Sequence, residues 1–260
     1  MAVRPPAVSG SFYPAISARL SADIDRFLSR VDVRADVRAP KALIVPHAGY
    51  MYSGIVAAHG YAQLRHASLR RIILFGPAHF VPFRGLALPD AEAFETPLGS
   101  VPIDAGLADQ LAKTQGISRN AAAHAREHSL EVQLPFLQRI LSDFRIIPLA
   151  VGRASAEEVA SAMDGAWGDS STVVLVSSDL SHYLPYDDAV EVDRRTADQI
   201  LALGPALKDE QACGARAING LLLAAAKRRL QPRLLDMRNS GDTAGSHDEV
   251  VGYASVAFYE

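Results

Sequence analysis

Three histidines and one aspartate stand directly after apolar runs, at positions where catalytic and metal-binding groups are commonly delivered. His47 follows Ala42-Leu43-Ile44-Val45-Pro46, and His79 follows Ile72-Ile73-Leu74-Phe75-Gly76-Pro77-Ala78. Asp179 and His182 follow Val173-Val174-Leu175-Val176-Ser177-Ser178. Four consecutive apolar residues bounded by Pro, Gly or Ser predict buried strands. In open α/β sheets, ligands gather outside the carboxyl ends of such strands. Imidazoles delivered by separate strands to one edge point to convergence on one site, with a metal as the natural occupant.

The other candidates extend this site. Asp179 and His182, three residues apart, would share a face if the backbone turned helical, so that the carboxylate binds metal or orients a ring nitrogen. Either could also serve as a base toward a metal-activated water. Asp242, in the polar loop Arg238 to His247, would complete a two-histidine, one-carboxylate set, which suits iron(II) and leaves positions open for substrate or dioxygen. Gly49 and Gly54 bracket Tyr50 and Tyr52, whose phenols could line a ligand. Glu127-His128-Ser129-Leu130-Glu131 supplies His128 as a pocket wall; its two glutamates also fit compensation of a helix dipole. His59, His66 and His124 read as surface or packing residues, and Cys213, among helix formers, as structural.

The elements that would position these groups alternate between helix and strand. A helix capped by Ser17 carries Leu20, Ile24, Phe27, Leu28 and Val31 at helical spacing. A second helix is expected from about Gly54, and turns with short antiparallel pieces between Gly85 and Asp104. Asp104 caps a short helix over 105–113, and Ser129 a stretch that Pro135 kinks or delays. A strand over 144–151 leads to a capping box at Ser155 and Glu158. Helices then follow from Asp187 or Asp188 and over 213–229, before a short strand at Leu234-Leu235 and a last one over 250–259. The alternation predicts a single α/β domain over residues 1–260, with a central mixed, mostly parallel sheet flanked by helices.

Bulk properties narrow the function classes. An apolar share of 49% and a net charge of -3 without a block of like charge argue against nucleic acid and against a membrane as partner. There is no apolar leader and no run of about 20 apolar residues, and the single cysteine fits a reducing, cytoplasmic setting. His-Glu-x-x-His, Gly-x-Ser-x-Gly, Walker and dinucleotide glycine motifs are all missing.

Several longer motifs carry a resemblance. Pro-Ala-Val-Ser-Gly-Ser-Phe-Tyr-Pro (6–14), Pro-His-Ala-Gly-Tyr-Met-Tyr-Ser-Gly (46–54), Gly-Pro-Ala-His (76–79), Thr-Pro-Leu-Gly (96–99), Glu-His-Ser-Leu-Glu-Val-Gln-Leu-Pro-Phe-Leu (127–137) and Ser-Ser-Asp-Leu-Ser-His-Tyr (177–183) resemble the Memo family. Its prokaryotic members are called AmmeMemoRadiSam system protein B. The resemblance implies a fold similar to class III extradiol dioxygenases, which hold a non-haem iron by two histidines and a carboxylate. It places metal histidines at His47 and His79 and further pocket residues at Asp179 and His182. Animal members have a cysteine ligand before the final strand, a position that falls on Thr243 here. That leaves the third ligand open among Asp242, His182, Asp179 and water. The implied function is a metal-dependent oxidoreductase using a divalent metal, iron(II) or copper, on an unknown small molecule or peptide. The alternative is a non-catalytic accessory or interaction module working with AMMECR-like and radical SAM partners.

Overall fold

The four apolar runs nearest the candidate residues form the centre of one sheet. A computed structural model describes residues 2–33 and 38–260. In chain order its elements begin with β1 (Val3–Arg4), α1 (Ser17–Leu28), β2 (Ala42–Val45), α2 (Tyr50–Ala62) and β3 (Arg71–Pro77). Next come β4 (Leu86–Leu88), β5 (Ala93–Thr96), β6 (Gly99–Pro102), α3 (Ala105–Leu111), β7 (Ile117–Arg119) and α4 (Ala121–Ala125). A 3-10 turn (Glu131–Gln133) leads into α5 (Leu134–Ile140), followed by β8 (Arg145–Val151), α6 (Ala156–Ala166), β9 (Thr172–Ser177) and β10 (His182–Leu184). The chain then runs through α7 (Tyr186–Leu201), α8 (Ala215–Arg228), β11 (Gln231–Asn239), a 3-10 turn (Ser240–Asp242) and β12 (Val250–Tyr259).

The main sheet has the order β10-β12-β2-β9-β3-β8-β4-β7, with β11 also paired to β12. β2, β9, β3 and β8 are parallel, whereas β12, β10, β11 and the β4–β8 pairing bring antiparallel edges. Nearly every residue of the four central strands is buried, as expected where helices cover both faces. One helical group joins α1, α2 and α5, and another joins α3, α6 and α8. The α/β architecture therefore matches the alternation read from the sequence. Because β2, β3 and β9 run parallel, their carboxyl ends lie along one edge, and that edge receives His47, His79 and Asp179.

A separate three-stranded sheet, β1-β5-β6, joins the N-terminus to the β5–β6 hairpin, and the Arg4 side chain reaches from it to the segment after α4. Its anchor is a buried ion pair between Arg4 and Glu131. Arg4 also donates Nε–H to the His124 carbonyl (2.9 Å) and an Nη2–H to the Glu127 carbonyl (2.5 Å). Glu131 accepts in addition from the amides of Ala7 (2.7 Å) and Val8 (3.1 Å) and from the Tyr13 hydroxyl (2.5 Å). A buried charge pair is tolerable when its remaining donors and lone pairs are satisfied in this way.

Local differences from the sequence reading have local causes. Ser17 is the first helical residue and not a cap: the cap position is Ile16, without a side-chain bond. Helix α2 starts at Tyr50, not near Gly54. Gly54 lies inside it because α1 packs there, and a Cβ at that position would come within 2.7 Å of the Phe27 ring. Asp179 and His182 do not share a helix face, since His182 opens strand β10. Pro185, not Asp187 or Asp188, precedes α7. Ser129 donates its hydroxyl to the Pro77 carbonyl (2.9 Å) and caps no helix, while Pro135 sits in the first turn of α5. Strand β11 extends far beyond Leu234-Leu235 because β12 pairs along it. Asp104 and the Ser155–Glu158 capping box act as read.

Breaking one side of the Arg4–Glu131 pair leaves an uncompensated buried charge. Arg4→Met or Glu131→Gln is expected to lower unfolding free energy by about 3–5 kcal/mol, measured by urea denaturation; a loss below about 1 kcal/mol would show that the pair does not anchor the N-terminus.

Candidate metal centre

The parallel strand ends and the segment after α4 bring His47, His79 and His128 together. One ring nitrogen from each lies within 4.8 Å of the other two. The rings of His79 and His128 stack at 4.7 Å between centroids, and His47 meets both edge-on at 5.3 and 5.4 Å. His47 is buried, and His79 opens to solvent.

Hydrogen bonding sets the tautomers of two of these rings. The Ser177 hydroxyl has one proton and donates it to the Ser129 carbonyl (2.6 Å). It must therefore accept from Gln133 Nε2 (2.7 Å) and from His47 Nδ1 (2.8 Å). The His47 proton thus sits on Nδ1, leaving Nε2 with a free lone pair. Glu127 plays the same part for His79: its carboxylate accepts the His79 amide (2.6 Å) and His79 Nδ1–H (2.9 Å), so Nε2 of that ring is the acceptor. Glu127 accepts further from the amides of His128 and Ser129, both at 2.9 Å. Among the described residues, the buried Nδ1 of His128 has no hydrogen-bond partner; it lies 3.5 Å from Glu127.

Electrostatics agree with this assignment. Burial, reinforced by the neighbouring His79, pushes the His47 imidazole down to about 3. Burial and the His47 ring push His128 down to about 4. Burial alone would raise the Glu127 carboxyl, but the hydrogen bond and charge of His79, with the amides of Ser129 and His79, hold it down at about 2. Near neutral pH His47 and His128 are therefore neutral imidazoles beside the Glu127 carboxylate, a protonation state that suits metal binding. The donor set fits a small cation of intermediate softness such as iron(II), copper or zinc.

A cleft of about 650 Å³ opens over the histidines, lined also by Phe12, Tyr52, Asp179, His182 and Tyr253. Asp179 Oδ1 accepts the His47 amide at 2.7 Å, and its Oδ2 lies 4.0 Å from His47 Nε2. Burial raises the Asp179 carboxyl, opposed chiefly by the His47 amide. His182 bonds the Leu180 carbonyl through Nδ1 (2.8 Å).

Other sequence candidates lie elsewhere. Asp242 is exposed and does not join the histidines: one oxygen accepts the Asn239 amide (2.8 Å) and the other the Tyr186 hydroxyl (2.6 Å). Thr243 bonds the Ser240 carbonyl and is absent from the cleft lining. Tyr50 turns into the core, donating to the Val132 carbonyl (2.7 Å) and packing on Phe136, so of the two phenols only Tyr52 faces the cleft. The third imidazole is His128, read from the sequence only as a wall. Glu127 was hidden by its equally good fit to dipole compensation, although a carboxylate beside a histidine was the available signal. Phe12 and Tyr253 were missed because apolar residues in turns and strands carry no mark of a pocket.

The pKa directions have a consequence for stability. His47, His128 and the buried His124, pushed down to about 4, stay neutral in the fold where the unfolded chain would bind protons below about 6.5. Their stabilisation is complete above about 6.5 and is lost as pH falls toward 4, on the order of 1–2 kcal/mol per histidine by pH 5. Asp179 acts in the opposite sense, since its raised carboxyl favours the fold in acid. Chelator-treated protein is thus expected to melt at progressively lower temperature from pH 7 to pH 5, and a flat or rising profile would contradict these protonation states.

A family model described as Memo-like protein matches residues 4–257. Among relatives described as MEMO1 family proteins, one from Sulfolobus acidocaldarius is 37% identical, covering 98% of this chain and 99% of its own. Another, from Methanosarcina acetivorans, is also 37% identical with the same coverages, and one from Caldivirga maquilingensis is 34% identical over both full lengths. A solved structure of an uncharacterized Escherichia coli K12 protein aligns with a TM-score of 0.52 at 14% identity, over 83% of this chain and 98% of that one, which supports the fold alone. With a match that spans nearly the whole chain and relatives alike from end to end, the protein belongs to the Memo family.

Proposed function

We propose that this chain is a metal-dependent oxidoreductase whose divalent metal, iron(II) or copper, is held by His47, His79 and His128. The observation that carries the reading is the convergence of three ring nitrogens, two of them with tautomers set by Ser177 and Glu127. A redox-active ion bound there supplies a Lewis acid and an electron relay. Tyr52, Phe12 and Tyr253 enclose a substrate beside the histidines and exclude water from part of the cleft. His182, with Nδ1 committed to the Leu180 carbonyl, keeps Nε2 as an acceptor for a substrate proton. Asp179, fixed through Oδ1, offers Oδ2 as a second proton acceptor near His47.

A second reading is an accessory module that works with AMMECR-like and radical SAM partners. It is favoured by the exposed rings of Phe80, beside His79 and His128, and Tyr183 in the cleft wall, which suit a macromolecular contact. Oxygen consumption by the metal-loaded protein in the presence of oxidisable small molecules supports the first reading. A stable complex with those partners and no turnover supports the second.

Anaerobic titration is expected to give about one equivalent of iron(II) or copper per chain and none in the His47→Ala/His79→Ala double variant; unchanged binding in that variant would overturn the site. Glu127→Gln keeps all three imidazoles and is expected to weaken metal affinity roughly 10- to 100-fold. Equal affinity in this variant would show that Glu127 does not position the ligands.

A further inference from the structure

Asp193 lies in the middle of α7, where aspartate is a poor helix former, and it is buried, only 3% exposed. Carboxyl groups are rarely buried to that extent unless they serve a partner. Here the partner is the turn that carries His182: Asp193 Oδ1 accepts the Ser181 amide at 3.0 Å. Resting on the proposed role of His182 as acceptor of a substrate proton, we infer that Asp193 is the positioning residue for His182. It holds the 180–183 turn in the conformation that commits Nδ1 of that ring to the backbone and leaves Nε2 for the cleft.

The turn is gripped from two sides. On the β12 side, the Leu180 amide donates to the Gly252 carbonyl (2.7 Å), and the Gly252 amide donates to the Ser181 carbonyl (2.9 Å). Neither bond uses the Ser181 amide, and α7 supplies the acceptor for it through Asp193. Gly252 is what lets α7 come so close: a Cβ there would fall 1.8 Å from Asp193 Oδ2 and 2.5 Å from its Cγ. The carboxyl group is therefore seated directly on the β12 backbone. Burial raises it, opposed by the Ser181 amide and by the charge of the nearby His182. As a neutral acid it still accepts the amide through its carbonyl oxygen.

The grip is needed because the turn is strained. His182 pairs with Val251 and Leu184 with Val250, so the register shifts at Tyr183, whose φ is 57°. A left-handed backbone is an outlier for a bulky residue and persists only where its surroundings over-determine it. The Tyr183 ring does not supply that hold, since it is 70% exposed. Asp193 and the Gly252 bonds do. Within the turn so fixed, His182 Nδ1 stands 2.8 Å from the Leu180 carbonyl, which can only accept, so the ring proton is on Nδ1 and Nε2 is free. Releasing Ser181, the residue between them, would part that ring from that carbonyl.

Nitrogen-15 NMR of the imidazoles in the metal-free full chain reads this tautomer, near pH 8 and above the ordinary imidazole range of about 6.5. Wild type is expected to show His182 protonated at Nδ1 alone, and Asp193→Ala to show mixed tautomers. Asp193→Asn, which keeps an oxygen for the Ser181 amide, is expected to restore the wild-type signal. His124, bonded through Nε2 to the Ala87 carbonyl, is the internal control for folding and is expected unchanged throughout. With His124 intact, a single Nδ1–H tautomer in Asp193→Ala, or mixed tautomers in wild type or Asp193→Asn, overturns the inference and leaves the metal centre standing. Failure of wild type to bind metal overturns the proposed function instead and does not touch this readout. Should Asp193→Ala not fold, hydrogen exchange in wild type decides: the Ser181 amide is expected to exchange as slowly as the Gly252 amide, and exchange at the rate of an unbonded loop amide overturns the inference.

Discussion

The interaction on which the site depends is the buried Glu127 carboxylate and the four N–H groups that converge on it, from the His79 ring and the amides of His79, His128 and Ser129. A carboxylate in that position carries a desolvation cost that only such donors offset. Once they do, three consequences follow together. The His79 ring is fixed with Nε2 outward, the 127–129 backbone is held at the end of β3, and His128 is brought into stacking contact with His79. Gly76 permits this approach, since a Cβ there would come within 2.7 Å of Ser129 Oγ.

Four residues later Glu131 performs a parallel task on the other side of the same turn, gathering Arg4, Ala7, Val8 and Tyr13. The N-terminal motif thereby reaches the cleft, where Phe12 lines the wall and packs against His128 at 4.7 Å. Gln133 completes the segment by bonding Ser177, the residue that sets the His47 tautomer, and the Tyr61 hydroxyl (2.5 Å). Residues 127–133 thus act as a clamp between two strand ends and the N-terminus. His47 contributes from β2, His79 from β3 and Asp179 from β9, so the sheet sets the spacing and the clamp sets the protonation.

Much of this was legible from residue order. The apolar runs at 42–45, 72–75 and 173–176 specify buried parallel strands, and punctuation by Pro, Gly and Ser marks where each opens into a loop. His47 and His79 could be paired because both occupy the same address in that grammar. His128 could not, because it does not follow a strand and the rings it meets, Phe12, His47 and His79, come from distant segments of the chain. Asp242 illustrates the converse: a carboxylate in a glycine-rich loop looks free in sequence, but capping its own turn and bonding Tyr186 consumes both oxygens. Long-range hydrogen bonds, not local pattern, decide which polar residues face the cleft.

The central claim is that His47, His79 and His128 together hold one metal ion. Anomalous scattering from crystals of the metal-loaded protein, collected on both sides of the metal's absorption edge, tests it most directly. The expected result is a single peak about 2.1 Å from one ring nitrogen of each histidine. A peak at the Asp242 loop, or none between the three rings in protein shown to carry the metal, would contradict the account.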